Sequence, residues 1–202
     1  MKLYYLAGAC PLVTHIALEW IGTPYEAEAV SREALKEPAF LALNPLGAAP
    51  VLQDGDFVLT QSIAILEYLA ELYPSANLLG ETLQERAEVR RWLAFLNADI
   101  HRNFGVVFGV QRYAHSEAAQ AEVKSLTCEL LLKQFAHINQ HLNGRDFLGA
   151  QRSVADAYLY VVLRWAGRLG LDLSSLTNLT RVSQKLEQDP AVQAALKAEG
   201  LL

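Results

Sequence analysis

The sequence predicts a mixed α/β domain followed by an all-helical domain. Three observations carry this. The first third switches between strand and helix patterns in the order βαβ, α, ββ, α. Residues 74–80, which contain Pro, Ser, Asn and Gly, then interrupt the chain, and no strand pattern appears beyond them. The boundaries that follow are a first domain over residues 1–77, a linker over 78–83 and a helical domain over 84–202.

Residues 2–6 read as a strand, and Pro11 opens a helix that runs to residue 21, since proline suits the first helical position. The Gly22-Thr23-Pro24 turn leads into a second strand over 25–30, and a short helix is expected over 33–41. After a loop at 44–49, Val51-Leu52 and Phe57-Val58-Leu59 flank Asp54-Gly55-Asp56 and predict a hairpin, because Asp-Gly supplies the positive φ of a tight turn. Ile63, Leu66, Leu69 and Leu72 keep helical spacing until Pro74 stops the run. A thioredoxin-like module has this order. The remainder predicts helices over 83–113, 116–142, 153–169, 176–188 and 191–199.

With 202 residues, 52% hydrophobic and 19% charged, the chain can bury a substantial core. A net charge of -5 and 17 basic residues without a cluster argue against a nucleic-acid partner. Met1-Lys2-Leu3-Tyr4-Tyr5-Leu6 lacks the apolar region of a signal peptide, and no apolar run is long enough to span a bilayer. Cys10 and Cys128 are far apart and read as free thiols in a reducing compartment, so the expectation is a soluble cytoplasmic protein without a membrane partner.

The chemistry-bearing residues begin with Cys10. Pro11 places it at a helix N-cap, where free backbone N–H groups and the helix dipole are expected to lower the thiol pKa. Residue 13 is Val, so a Cys-x-x-Cys dithiol is absent and redox chemistry must borrow its second sulfur from a small thiol. Cys128 sits in the apolar run 126–132 and reads as core. Ala49-Pro50 is a candidate cis peptide that would expose the Ala49 backbone to a peptide-like ligand. Gln61-Ser62 opens a helix where N–H groups, a hydroxyl and an amide suit a carboxylate, although plain N-capping by Ser62 also accounts for the serine. Ser153-Val154-Ala155-Asp156 has capping-box spacing and reads as structural. Asn97, His101, Phe104 and Phe108 share one helix face that either lines a cleft or is merely solvated. His15 points away from Cys10 and reads as a packing or surface histidine, and no His, Cys or carboxylate set has metal-ligand spacing.

The order and spacing of Cys10-Pro11, Ala49-Pro50, Gln61-Ser62 and Ser153-x-x-Asp156 resemble the soluble glutathione transferases along the whole chain. Gly8-Ala9-Cys10, Asp156-Ala157-Tyr158 and Leu163-Arg164-Trp165-Ala166 are most similar to the bacterial beta class. The resemblance implies glutathione as co-substrate, with the Ala49 backbone on its cysteinyl part and Gln61 and Ser62 on its γ-glutamyl end. Cys10 would contact the glutathione sulfur, and His101 would approach the ligand. Phe104, Phe108 and Trp165 would line the pocket for a small hydrophobic electrophile. A homodimer is the family habit. The basic residue for the glycyl end is Lys36, with Arg32 in reserve. Two further departures stand out: Arg152 occupies the place of an aromatic staple residue, and Ala94 falls where some members carry an asparagine, so Asn97 does not inherit its role. Conjugation by glutathione, glutathione-dependent disulfide exchange at Cys10 and a non-catalytic ligand-binding role are the three readings this leaves. Activation by Tyr4 or Tyr5 requires the hydroxyl to face the ligand; for Tyr5 the competing role is sheet packing.

Overall fold

The structure is a computed structural model that describes residues 1–202. Strand β1 (Lys2–Tyr5) organises the first domain by pairing on both edges. It runs parallel to β2 (Glu26–Ala29), with helix α1 (Pro11–Ile21) as the crossover, and antiparallel to β3 (Val51–Asp54). Strand β4 (Phe57–Thr60) completes the hairpin, giving the sheet order β2-β1-β3-β4. Period-two alternation sorts the side chains of β1: Leu3 and Tyr5 enter the main core, while Tyr4 joins a small cluster with Phe40 of α2 (Pro38–Leu43). Helix α3 (Ser62–Leu72) packs beside α1. This is the thioredoxin-like βαβ-α-ββ-α order expected.

The short helix over 33–41 is instead split into a 3-10 turn, Ala34–Lys36, and α2. Pro38 accounts for the break, since it pushes Glu37 into an extended conformation (φ -72, ψ 146) and then opens the next helix.

The remainder is helical: α4 (Leu83–Ala94), α5 (Arg102–Phe108), α6 (Glu117–His141), α7 (Val154–Leu169), α8 (Thr177–Glu187) and α9 (Pro190–Ala198). The expected single helix over 83–113 contains a π-helical segment, Phe95–His101, between α4 and α5, and ends in a 3-10 turn at Val110–Arg112. No Gly or Pro marks the π segment, because its wider turns leave φ and ψ near helical values. Helix α7 is buried along most of its length, and α1 packs against α3 on one side and against α7 and α9 on another. One apolar cluster therefore runs from Leu3 and Ile16 through Val161 to Leu196.

The start of α7 is fixed by Asp156, which is fully buried. Its Oδ2 accepts hydrogen bonds from Ser153 N at 2.9 Å and Ser153 Oγ at 3.0 Å, and its Oδ1 accepts from Leu148 N at 2.8 Å. Burial lifts this carboxyl to about 6, against the pull of those donors. Arg152 serves where an aromatic staple was expected. Its guanidinium lies 4.4 Å from the Trp20 ring and pairs with Asp189 at 2.8 Å, and Asp189 in turn caps α9 by accepting from Ala191 N. The residue between loop and helix thus ties α7 to α1 and α9.

Asp156→Asn places an amide donor against one of the three donors that converge on the carboxylate. We expect a loss of about 1–3 kcal/mol in urea unfolding with secondary structure retained; an unchanged midpoint would show that these bonds do not anchor α7.

Candidate active site

The Cys10 loop is held from both sides of one residue. Gly8 turns the chain at φ 69, its N–H donates to Glu199 Oε2 at 2.8 Å, and its carbonyl accepts from Trp165 Nε1 at 2.8 Å. Glu199 is buried just beyond α9, and its other oxygen, Oε1, lies 3.0 Å from His15 Nδ1. His15 is likewise buried, between Tyr5 and Tyr25. The packing role expected for it holds, and its partner comes from the opposite end of the chain. Nothing in the sequence signals Glu199, because its contacts are 184 and 191 residues away.

Cys10 itself differs from expectation. Its backbone is already helical (φ -58, ψ -25), its side chain does not cap α1, and its thiol donates to Ala49 O at 3.7 Å. Burial pushes the thiol up to about 11, and a hydrogen bond with Ser62 offsets this only in part. The lowered pKa expected from a helix start gives way to a raised one: desolvation of the half-buried thiol outweighs the donors at the start of α1.

Ala49-Pro50 is cis. Gln61 occupies the position before α3 with φ 71 and ψ 115, a backbone conformation few non-glycine residues adopt, and its side chain makes no capping bond. Ser62 is the first helical residue and is buried, so it does not act as the N-cap. Cys10, Ala49 and Ser62 thus meet at one point from three separate stretches of sequence. Lys36 lies in the 3-10 turn and Arg32 before it; both are exposed, and neither side chain is engaged in an ion pair.

A second polar group lies on the helices beside Trp165, the residue whose indole holds Gly8. His101 ends the π segment, with Nδ1 2.7 Å from the hydroxyl of Tyr158, and that hydroxyl donates to Asn97 Oδ1 at 2.8 Å. Burial holds the His101 pKa below its ordinary value, so the ring is neutral at pH 7. Its ring centroid is 4.8 Å from that of Trp165. Phe104 is 0% exposed, enclosed by Phe108, Phe135 and Trp165, whereas Phe108 is 51% exposed. Of the aromatic set expected to line a pocket, Phe104 therefore forms the layer behind the wall. The Tyr5 hydroxyl is engaged with Ala198 O and the Tyr4 hydroxyl with Gln53, so neither is directed at Cys10. Cys128 is partly buried on α6 and burial raises its thiol.

Residues 1–71 match the family described as glutathione S-transferase, N-terminal domain. Over 203 aligned residues the chain is 43% identical to a glutathione S-transferase of Xanthomonas campestris pv. campestris, with both proteins covered in full. The chain belongs to the glutathione S-transferase family. Among solved structures, the glutathione S-transferase from Xylella fastidiosa superposes with a TM-score of 0.96 at 44% identity, covering 100% of this chain and 99% of that one. A bacterial beta class glutathione S-transferase from Sphingomonas chungbukensis gives 0.89 at 34% identity, with full coverage of both. In this glutathione S-transferase the indole of Trp165 joins the helical region to the loop that carries Cys10.

Alkylation of Cys10 by iodoacetamide, followed in a Cys128→Ser background, is expected to keep accelerating up to about pH 10, since the thiolate form grows towards a pKa of about 11. A half-maximal rate at about pH 8.5, the ordinary cysteine value, with a plateau by about pH 10, would contradict the effect of burial.

Proposed function

We propose that the protein conjugates the thiol of glutathione to small hydrophobic electrophiles, in the manner of a beta-class-like enzyme. The observation that carries this reading is the meeting of Cys10, Ala49 and Ser62 at one point, on a loop that Trp165 holds through Gly8. Glutathione is a modified peptide, and the backbone of Ala49 offers it a strand-like partner. The N–H groups at the start of α3, with the Gln61 amide and the Ser62 hydroxyl, suit the γ-glutamyl end, and Lys36 (or Arg32) suits the glycyl carboxylate. Phe108 and Trp165 supply the apolar wall for the electrophile, with Phe104 behind them.

A thiol with a pKa near 11 is a hydrogen-bond donor at neutral pH and a weak nucleophile. The reading that follows is that the Cys10 S–H steadies the glutathione sulfur as that sulfur, deprotonated, attacks the electrophilic carbon and the leaving group departs with its bonding pair. Mixed-disulfide formation at Cys10 is the secondary reading, as it needs the Cys10 thiolate. We assign the glutathione domain to residues 1–77 and the co-substrate domain to 84–202. We also propose that the enzyme acts in detoxification in the cytoplasm as a homodimer, for which exposed Phe57, Leu72 and Leu83 supply apolar contact surface. No helix is long and apolar enough to cross a membrane.

The test is glutathione-dependent conjugation of an aryl halide. Ser62→Ala is expected to raise the KM for glutathione about tenfold, equivalent to about 1.4 kcal/mol of binding. Cys10→Ala is expected to retain conjugation within about tenfold and to lose any reduction of a mixed glutathione disulfide. If the wild-type protein shows no glutathione-dependent rate yet binds a bulky apolar ligand, the non-catalytic reading replaces this one.

A further inference from the structure

Trp165 has an arginine on either side of it on α7, Arg164 next to it and Arg168 a turn further on, and the i, i+4 spacing puts both arginines on one side of the helix. The two line an open cavity of about 350 Å³ together with Gly8, Trp165 and Leu201. That volume lies at the lower end of the range for small-molecule sites. Trp165 and Leu201 are its apolar part, and the indole of Trp165 meets the exposed ring of Phe108 with centroids 6.2 Å apart. The first domain contributes Gly8 alone, so Lys36, Ala49, Gln61 and Ser62 stand outside it.

Neither arginine forms an ion pair. Arg164 is half-buried, and its guanidinium donates to two neutral acceptors, the Tyr160 hydroxyl at 3.2 Å and the Leu201 carbonyl at 3.4 Å. Arg168 is exposed. Carboxylates are close at hand but engaged with other groups. Both oxygens of Glu199 are taken by Gly8 and His15, and Glu187 approaches the Tyr160 hydroxyl. A chain of net charge -5 thus keeps two permanent cations uncompensated at one cavity beside the Cys10 loop.

We propose that Arg164 and Arg168 form a carboxylate subsite, so that the electrophile conjugated here is a small aromatic or unsaturated acid. The inference rests on the conjugating function proposed above and deepens it by naming the substrate class.

Three observations support it. The planar fork of a guanidinium matches the two oxygens of a carboxylate, and the tether of Arg164 to Tyr160 and Leu201 holds that fork in place before a ligand arrives. Trp165 and Leu201 offer the apolar surface on which the body of such an acid would lie. The reach is also right. Gly8 precedes Cys10 by two residues, a span of at most about 7 Å, so a cavity that touches Gly8 lies within the length of a small molecule of the Cys10 thiol.

Two aryl chlorides test the subsite, 4-chloro-3-nitrobenzoate and 4-chloro-3-nitrobenzamide, which present the same leaving group to glutathione and differ in charge at the far end. Each kcat/KM is divided by the rate of the uncatalysed reaction with glutathione, which removes intrinsic reactivity. We expect the wild type to prefer the acid by about tenfold or more, and the preference to fall about tenfold in Arg168→Gln and in Arg164→Gln. Lys124→Gln removes the same charge from α6, outside the cavity, and should leave the preference unaltered. Because a ratio is read, partial loss of folded protein in a variant cancels. A wild type that does not prefer the acid, or an equal fall in Lys124→Gln, would overturn the subsite. Quenching of tryptophan fluorescence by the unreactive 3-nitrobenzoate and 3-nitrobenzamide, with glutathione present, separates this from failure of the reaction. Tighter binding of the acid that is lost in Arg168→Gln, without conjugation of either chloride, keeps the subsite and defeats the conjugating function alone. Equal binding of acid and amide defeats the subsite whatever the activity.

Discussion

The main chain of Gly8 is gripped by the helical domain on both sides, by the Glu199 carboxylate at its N–H and by the Trp165 indole at its carbonyl. Neither helix that supplies these groups belongs to the first domain, yet together they fix the loop that carries Cys10. Glu199 is buried with His15, so its two oxygens are both engaged inside the protein, and removing either partner would leave a polar group in the core without compensation. The packing of α1 against α7 and α9 is what brings these groups within reach. The first domain supplies Ala49 from the loop before β3 and Ser62 from the start of α3, the helical region supplies His101 and Trp165, and Gly8 is where the two halves are registered to each other.

Burial then sets the chemistry. The same removal from water raises the Cys10 thiol and lowers the His101 imidazolium, so both groups are neutral at pH 7. A protein cysteine acting as the nucleophile would need the reverse. The neutral pair suits a site whose reactive sulfur arrives with the substrate, since a neutral histidine can accept a proton and a protonated cysteine can donate a hydrogen bond. The strained backbone at Gln61, directly before the buried Ser62, is consistent with a ligand-facing bend held in place by the surrounding sheet and helix.

How much of this was legible in the sequence depended on the range of the interactions. The strand alternation of β1, the Asp-Gly hairpin, Pro11 at a helix start and the Ser153-x-x-Asp156 box are local signals, and each element formed where it was read. The π segment was hidden because it inserts into a continuous helical pattern without a breaking residue. Arg152 departs from the family's aromatic staple, but only the fold reveals that Trp20 and Asp189 receive it. The raised Cys10 thiol was not legible because the packing around the half-buried helix start is a tertiary property. Phe104 and Phe108 share a helical face in sequence, yet the packing of Phe135 and Trp165 buries one and leaves the other half open. Glu199 had no local signature at all.

The central claim is that the helical region, through Gly8, shapes the Cys10 loop where we propose that glutathione binds. Calorimetric titration of reduced glutathione into the wild type and Glu199→Gln, side by side, tests it most directly. The account predicts saturable binding to one site per chain in the wild type, weakened about tenfold in Glu199→Gln, equivalent to about 1.4 kcal/mol. Equal affinity in the two proteins, or no saturable binding in the wild type at a second temperature as well as the first, would contradict it.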